Sequence, residues 1–233
     1  MKNIQDIRLV VCDMIGTTIR DHPKIEHCFS LSAKQTGLKM TDEEILAVQG
    51  WAIRQVFETY WERQTGERNN EWLKQVEHSY SVFRKILEDH YKQHEVLPIE
   101  GSVELFKFLM EKGIAIALTT GLYRKVADIL LGKLGWIRDG LVQVSITSDE
   151  VEKGRPEPHM IRKAMDILGI YDRKTVINIG DTPSDIQSGK KAGVLLSCCV
   201  TNGSHSLGQL SSFNPDIAFG SLHDFRSFLQ SRA

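Results

Sequence analysis

The chain has 233 residues, of which 41% are hydrophobic and 25% charged, with 29 Lys and Arg set against 30 Asp and Glu for a net charge of −1. That composition excludes a disordered or fibrous chain, and the even balance of charge offers nothing to a nucleic acid or a membrane surface. The longest apolar runs, Ile114 to Leu118 and Val194 to Val200, are too short to span a bilayer, and the opening MKNIQDIRLVVCD lacks the apolar stretch of a signal peptide, so a soluble cytoplasmic protein is expected.

In chain order, Arg8 to Cys12 forms the first strand candidate. Residues 20–97 then offer no convincing strand. Ile45, Val48, Ala52, Val56 and Tyr60 step by three or four, as do Trp72, Val76, Tyr80, Phe83 and Leu87, and both series predict amphipathic helices joined by the polar loop Thr65 to Asn70. From about residue 99 the texture changes to short apolar runs alternating with helical patterns. Ile114 to Leu118, Val142 to Ile146, Val176 to Ile179, Val194 to Val200 and Ile217 to Phe219 read as strands. Helices are expected through Val126, Ile129, Leu130 and Leu134, through Ile161, Ala164, Met165 and Leu168, and through Leu222, Phe225 and Leu229. Near-continuous apolar strands alternating with helices indicate a parallel sheet covered on both faces. The fold expected is therefore α/β: a Rossmann-like parallel-sheet core from residues 1–19 and 98–233, with an α-helical cap, residues 20–97, inserted after the first strand. The cysteines (Cys12, Cys28 and the adjacent pair Cys198 and Cys199) lack zinc-ligand spacing, and neighbours on a strand point to opposite faces, so buried thiols are expected.

In an open α/β sheet, ligands bind beyond the carboxyl ends of the strands. There the sequence presents Asp13-Met14-Ile15-Gly16-Thr17-Thr18, Thr119-Thr120-Gly121, the loop Gly154-Arg155-Pro156-Glu157-Pro158, and Gly180-Asp181-Thr182-Pro183-Ser184-Asp185. Close carboxylates repel one another unless a hard cation sits among them, and oxygen ligands suit Mg²⁺. Such a site with one arginine and turn N–H groups neutralises a phosphate, and a carboxylate aimed at the phosphorus can attack it.

These segments resemble, in order and spacing across nearly the whole chain, the motifs of the haloacid dehalogenase superfamily. DM-x-GTT, LTTG followed by a basic residue and VAD, and GRP-x-P are similar to its phosphonatase-like branch. The resemblance implies a hydrolase of a small phosphorylated metabolite, with Asp13 as nucleophile and Mg²⁺ ligand. It further implies the Ile15 backbone carbonyl, Asp181 and Asp185 at the metal, Thr120 and the Gly121 N–H on phosphate oxygens, and Arg155 balancing charge in the place of the motif's lysine.

Two departures bear on activity. Superfamily phosphatases carry an acid–base Asp two residues after the nucleophile, where this chain has Ile15, and such catalysis is worth roughly 10²–10⁴-fold. Phosphonatases use a Schiff-base lysine of the cap, whose position reads Ile53 here, and no lysine lies between Lys39 and Lys74. Cleavage of a carbon–phosphorus bond by that route is not expected. Gln49 and Arg54, on the cap helix that faces the core in relatives, are candidates for contacting substrate. His22, His27 and His78 are candidates for supplying the missing proton, and Asn202 to Ser206 for lining the rim. Two readings stay open: a Mg²⁺-dependent phosphatase working through phospho-Asp13, or a slow or non-catalytic protein that binds a phosphorylated ligand. Either is expected as a monomer or homodimer, with no nucleic-acid or membrane partner.

Overall fold

A computed structural model describes residues 6–20 and 25–231. Six parallel strands form one sheet in the order β3-β2-β1-β4-β5-β6. They are β1 (Leu9–Asp13), β2 (Ala115–Thr120), β3 (Val144–Thr147), β4 (Val176–Gly180), β5 (Leu196–Val200) and β6 (Ile217–Phe219). The sequence alternates strands with α5 (Ser102–Glu111), α6 (Arg124–Leu134), α7 (His159–Ile167), α8 (Pro183–Ala192), α9 (Leu207–Ser211) and α10 (Leu222–Gln230). The strand side chains explain why the sheet is covered on both faces. Val10 and Cys12 of β1 pack into one core with Leu105, Phe106 and Phe225, while Leu9 and Val11 point the other way against Met160, Ile161, Ala164 and Met165 of α7. Each central strand is therefore buried at every position and mostly apolar, as β1, β4 and β5 are, with Asp13, Asn178 and Ser197 the polar exceptions. The same alternation sends Cys198 and Cys199 into different cores.

Among the described residues between β1 and α5, every element is helical: α1 (Ile25–Thr36), α2 (Asp42–Ala47), α3 (Ile53–Thr65) and α4 (Asn70–Gln93). Phe29, Phe57 and Phe83 bring α1, α3 and α4 together, with ring centroids 4.5 to 5.8 Å apart. Trp61 Nε1 donates to Ser79 Oγ at 2.8 Å, satisfying both buried groups. Gly66 ends α3 in the left-handed conformation and Asn69 caps α4 through the Trp72 N–H, so the loop expected at residues 65–70 shrinks to a tight corner.

The single helix expected through Ile45 to Tyr60 does not form. The chain breaks between Ala47 and Ile53, and Gly50 takes φ +78°. The cause is tertiary: the Gln49 carbonyl accepts from Ser184 Oγ, and the Ile53 N–H donates to the Gly121 carbonyl, so residues 49–53 lie on the sheet's carboxyl edge. The strand expected from Val142 begins two residues later, because the Val142 N–H turns back to the Trp136 carbonyl. The helix α5 was not among the elements expected. No helix among the described residues is long and apolar enough to cross a membrane.

Candidate active site

The sheet order places β2 and β4 on either side of β1, so their carboxyl ends meet at the switch in winding direction, where α/β folds open a crevice. Asp13 ends β1 opposite Thr119 of β2, and Asp181 follows β4. Asp185 lies one turn into α8 and closes a capping box with Thr182, whose backbone N–H and hydroxyl both donate to it (3.1 and 2.5 Å). Asp13, Asp181 and Asp185 are buried, and each offers an oxygen within 4.8 Å of the others.

Arg155, 2% exposed, stands among them. Its Nη2 contacts Asp13 Oδ1 at 2.6 Å, its Nη1 pairs with Asp185, and its Nε–H is buried without a protein acceptor. Asp181 is held by the Thr17 hydroxyl on one oxygen (3.0 Å), and by the Ser204 N–H and hydroxyl on the other (both 2.7 Å). Ser204 Oγ also meets His205 Nδ1. Gly16 and Gly203 have no room for a side chain, because a Cβ at either would strike the Asp181 carboxylate.

Three buried carboxylates against one guanidinium leave two negative charges uncompensated when all are ionised. Burial pushes the Asp13 carboxyl up to about 6; Arg155 opposes the rise and Asp181 adds to it. An all-oxygen, doubly negative donor set fits a hard divalent cation such as Mg²⁺. The lone Arg155 Nε–H and the buried Thr120 at the end of β2 fit the oxygens of a phosphate.

Above this set lies a cavity of about 460 Å³. Asp13, Ile15, Thr120, Gly121, Arg155 and Asp181 line its floor, and Ile25, Phe29, Val48, Gln49, Trp51 and Ile53 belong to its helical roof. The roof sits on the core with little clearance: a Cβ on Gly121 would strike the Trp51 carbonyl, and one on Gly154 would lie 2.8 Å from the Ala52 Cβ. Glycine at these points is what permits the backbones to approach.

Most of the residues expected from sequence are thus brought together, and Asn202, Gly203 and Ser204 join them at the rim. Asp185 lines no part of the cavity; its oxygens face Arg155 and Thr182 beneath it. Gln49 lines the cavity and donates to Glu26. Arg54 does not reach it. The guanidinium is drawn outward to Glu58, one turn along α3 at 2.9 Å, and to Glu77 of α4, so the expectation that it contacts substrate is corrected. His27 and His78 are exposed on α1 and α4 outside the cavity lining, and His22 lies outside the described residues. Sequence reasoning missed Ser204 as the clamp on Asp181, and it missed Glu26.

The family model described as haloacid dehalogenase-like hydrolase matches residues 10–198. A phosphonoacetaldehyde hydrolase of Bacillus cereus (strain AH187) is 32% identical over 213 residues, covering 87% of this chain and 78% of that one. Among solved structures, a phosphonoacetaldehyde hydrolase like protein from Oleispira antarctica aligns with a TM-score of 0.80 at 19% identity, over 100% of this chain and 94% of the other. A hydrolase from Pseudomonas syringae aligns at 0.77 and 17% identity, over 97% of this chain and 99% of that one. At such identities the structural likenesses speak for the fold alone.

Proposed function

The chain belongs to the haloacid dehalogenase-like hydrolase family, and we propose that within it the protein is a Mg²⁺-dependent phosphatase of a small phosphorylated metabolite, working through a phosphorylated Asp13. The observation that carries this reading is a buried Asp13 paired to Arg155 on the floor of a cavity roofed by the helical segment. Asp13, Asp181, Asp185 and the Ile15 carbonyl would hold Mg²⁺, which when bound supplies charge neutralisation to the phosphoryl oxygens.

The protein's own groups divide the remaining work. Arg155 Nε–H, the Thr120 hydroxyl and the Gly121 N–H hold phosphate oxygens, and an Asp13 carboxylate oxygen attacks phosphorus in line with the departing ester oxygen. Water then attacks the acyl phosphate, restoring the Asp13 carboxylate and releasing phosphate. Residues 20–97 act as a cap, and segment 49–53, seated on Gly121 and Ser184, excludes bulk water once substrate is in place.

The Bacillus relative is named for hydrolysis of phosphonoacetaldehyde, a carbon–phosphorus substrate. Ile53, which the resemblance puts at the position of the Schiff-base lysine, lines the cavity, and no lysine is among the described residues that line it. An isoleucine forms no imine, so the reading favours P–O over P–C cleavage. The paired apolar positions Ile15 and Ile53 also support a second reading, a protein that binds a phosphorylated ligand without consuming it.

The test is phosphate release from 4-nitrophenyl phosphate, a metabolite panel and phosphonoacetaldehyde, with Mg²⁺ and with chelator, beside Asp13→Asn. Mg²⁺-dependent release from an ester, lost in Asp13→Asn, supports the phosphatase. Calorimetric binding of a ligand recovered intact after hours supports the binding protein, and release of acetaldehyde would overturn both.

A further inference from the structure

We propose that Glu26, on the first turn of α1, is the acid and base that serves the leaving group in place of the side chain missing at position 15. The inference rests on the phosphatase reading above and names a catalytic residue for it.

Loss of an ester oxygen from phosphorus leaves an alkoxide unless a proton arrives as the bond breaks, and the isoleucine at position 15 carries none to give. Amides and an indole do not exchange protons as acids near neutral pH, and among the described residues that line the cavity the other hydroxyl, guanidinium and carboxyl groups are accounted for. The Thr182 hydroxyl bonds to Asp185 and the Ser204 hydroxyl to Asp181. The Thr120 hydroxyl accepts the Leu122 N–H at 3.1 Å and is assigned above to a phosphate oxygen. The guanidinium of Arg20 is held by the Pro98 carbonyl at 3.1 Å, and a guanidinium does not surrender its proton in a protein. Glu100 is 86% exposed at the mouth, 3.9 Å from His223. Glu26 remains. It is half-buried and lines the cavity together with Asp13 and the apolar side chains of Ile25, Phe29, Val48 and Trp51.

Its carboxyl is also held in place. Gln49 Nε2 donates to Glu26 Oε1, and the Gln49 carbonyl accepts from Ser184 Oγ of α8. The carboxyl is therefore tied to the segment that seats the roof on the core.

The chemistry balances within this set. As the P–O bond to Asp13 forms and the bond to the ester oxygen breaks, the protonated Glu26 gives its proton to that oxygen and the alcohol leaves neutral. The Glu26 carboxylate then takes a proton from the water that attacks phospho-Asp13, and inorganic phosphate departs with Glu26 again protonated.

The experiment is single-turnover release of the phenol from a series of aryl phosphates, from 4-nitrophenyl to unsubstituted phenyl, with the full chain and Mg²⁺. Acid assistance flattens the dependence of rate on leaving-group basicity. Wild type is expected to show a shallow slope, and Glu26→Gln a steep one, with the loss on phenyl phosphate at least tenfold larger than on the nitrophenyl ester, out of the roughly 10²–10⁴ that such catalysis supplies. Glu26→Asp keeps a carboxyl on a shorter arm and should retain the shallow slope at lower rates. Gln49→Ala, which loosens the carboxyl without removing it, should steepen the slope part of the way toward that of Glu26→Gln. An equal loss across the series in Glu26→Gln, with thermal melting unchanged, would reduce Glu26 to a positioning residue and overturn the proposal. A steep slope already present in wild type would overturn it while leaving the phosphatase intact, whereas silence of wild type on every ester would remove the phosphatase reading and this inference together.

Discussion

Gly154 precedes Arg155 and touches the roof, so it offers a controlled way to separate roof from floor. In Gly154→Ala the new Cβ lies 2.8 Å from the Ala52 Cβ, against an optimum of about 3.5–4.0 Å between carbons, so a gap of about 1 Å must open. The backbone at Gly154 is not in the left-handed region, so alanine adds no strain of its own. Overpacking of this size costs about 1–3 kcal/mol, and at 1.36 kcal/mol per tenfold the loss in kcat/KM is roughly 5- to 150-fold. The structure also supplies the rescue. With Ala52→Gly the offending carbon is gone, and the next neighbours, Ala52 N and Ser148 Cβ, stand at 3.5 Å, which is ordinary contact. Ala52 is the N-cap of α3 in an extended conformation, where glycine is tolerated better than alanine, so this substitution alone should be neutral. The assay is kcat/KM for 4-nitrophenyl phosphate in wild type, the two single variants and the double variant, with melting temperatures alongside. A double variant as slow as Gly154→Ala, or a Gly154→Ala as fast as wild type, would refute the idea that seating of segment 49–53 on the core governs activity.

Three further outcomes follow from the floor. Arg155→Met strands Asp13 and Asp185 in the interior, and breaking a buried ion pair costs about 3–5 kcal/mol, so the melting temperature should fall markedly and Mg²⁺ should recover part of the loss; an unchanged melting curve would contradict the pairing. Burial raises the Asp13 carboxyl to about 6, and Mg²⁺ must displace that proton below this value. Affinity measured by calorimetry should therefore be level above about pH 6 and fall about tenfold per unit beneath it, and a flat profile from pH 5 to 7 would count against Asp13 as a ligand. Ser204→Ala removes the hydroxyl at 2.7 Å from Asp181 but leaves the backbone N–H, so Mg²⁺ affinity should weaken by about tenfold, the low end for loss of a ligand's supporting partner, as read by the same calorimetry.

The sheet and its carboxyl-edge motifs were legible in the sequence for a physical reason. Strands buried on both faces read as near-continuous apolar runs, and the residues that end them fall at the crevice by topology alone, which brings Asp13, Thr120 and Asp181 into one place. What escaped depends on contacts between distant segments. The helical spacing of Ile45 to Tyr60 runs unbroken through Gly50, and the break is visible only once Gly121 and Ser184 face it. Ser204 grips Asp181 from a loop after β5, 23 residues on, with no local pattern to mark it. Arg54 and Ile53 are neighbours on α3, about 100° apart around its axis, so one lines the cavity while the other finds Glu58 and Glu77. Glu26 belongs to no motif, and a short helix flank gives no sign that its first turn forms part of a roof. Ile15 was legible as a departure because the motif around it is intact, whereas Ile53 was placed only by its spacing from Gly50.

The central claim is that Asp13 becomes phosphorylated. The most direct test is to mix the protein with Mg²⁺ and 4-nitrophenyl phosphate, quench in acid within one turnover, and weigh the intact chain. The account predicts an added mass of one phosphoryl group, mapped to the peptide containing Asp13 and absent from Asp13→Asn and from the chelated sample. Phenol released at full rate without that adduct at any quench time, or from Asp13→Asn as fast as from wild type, would contradict it.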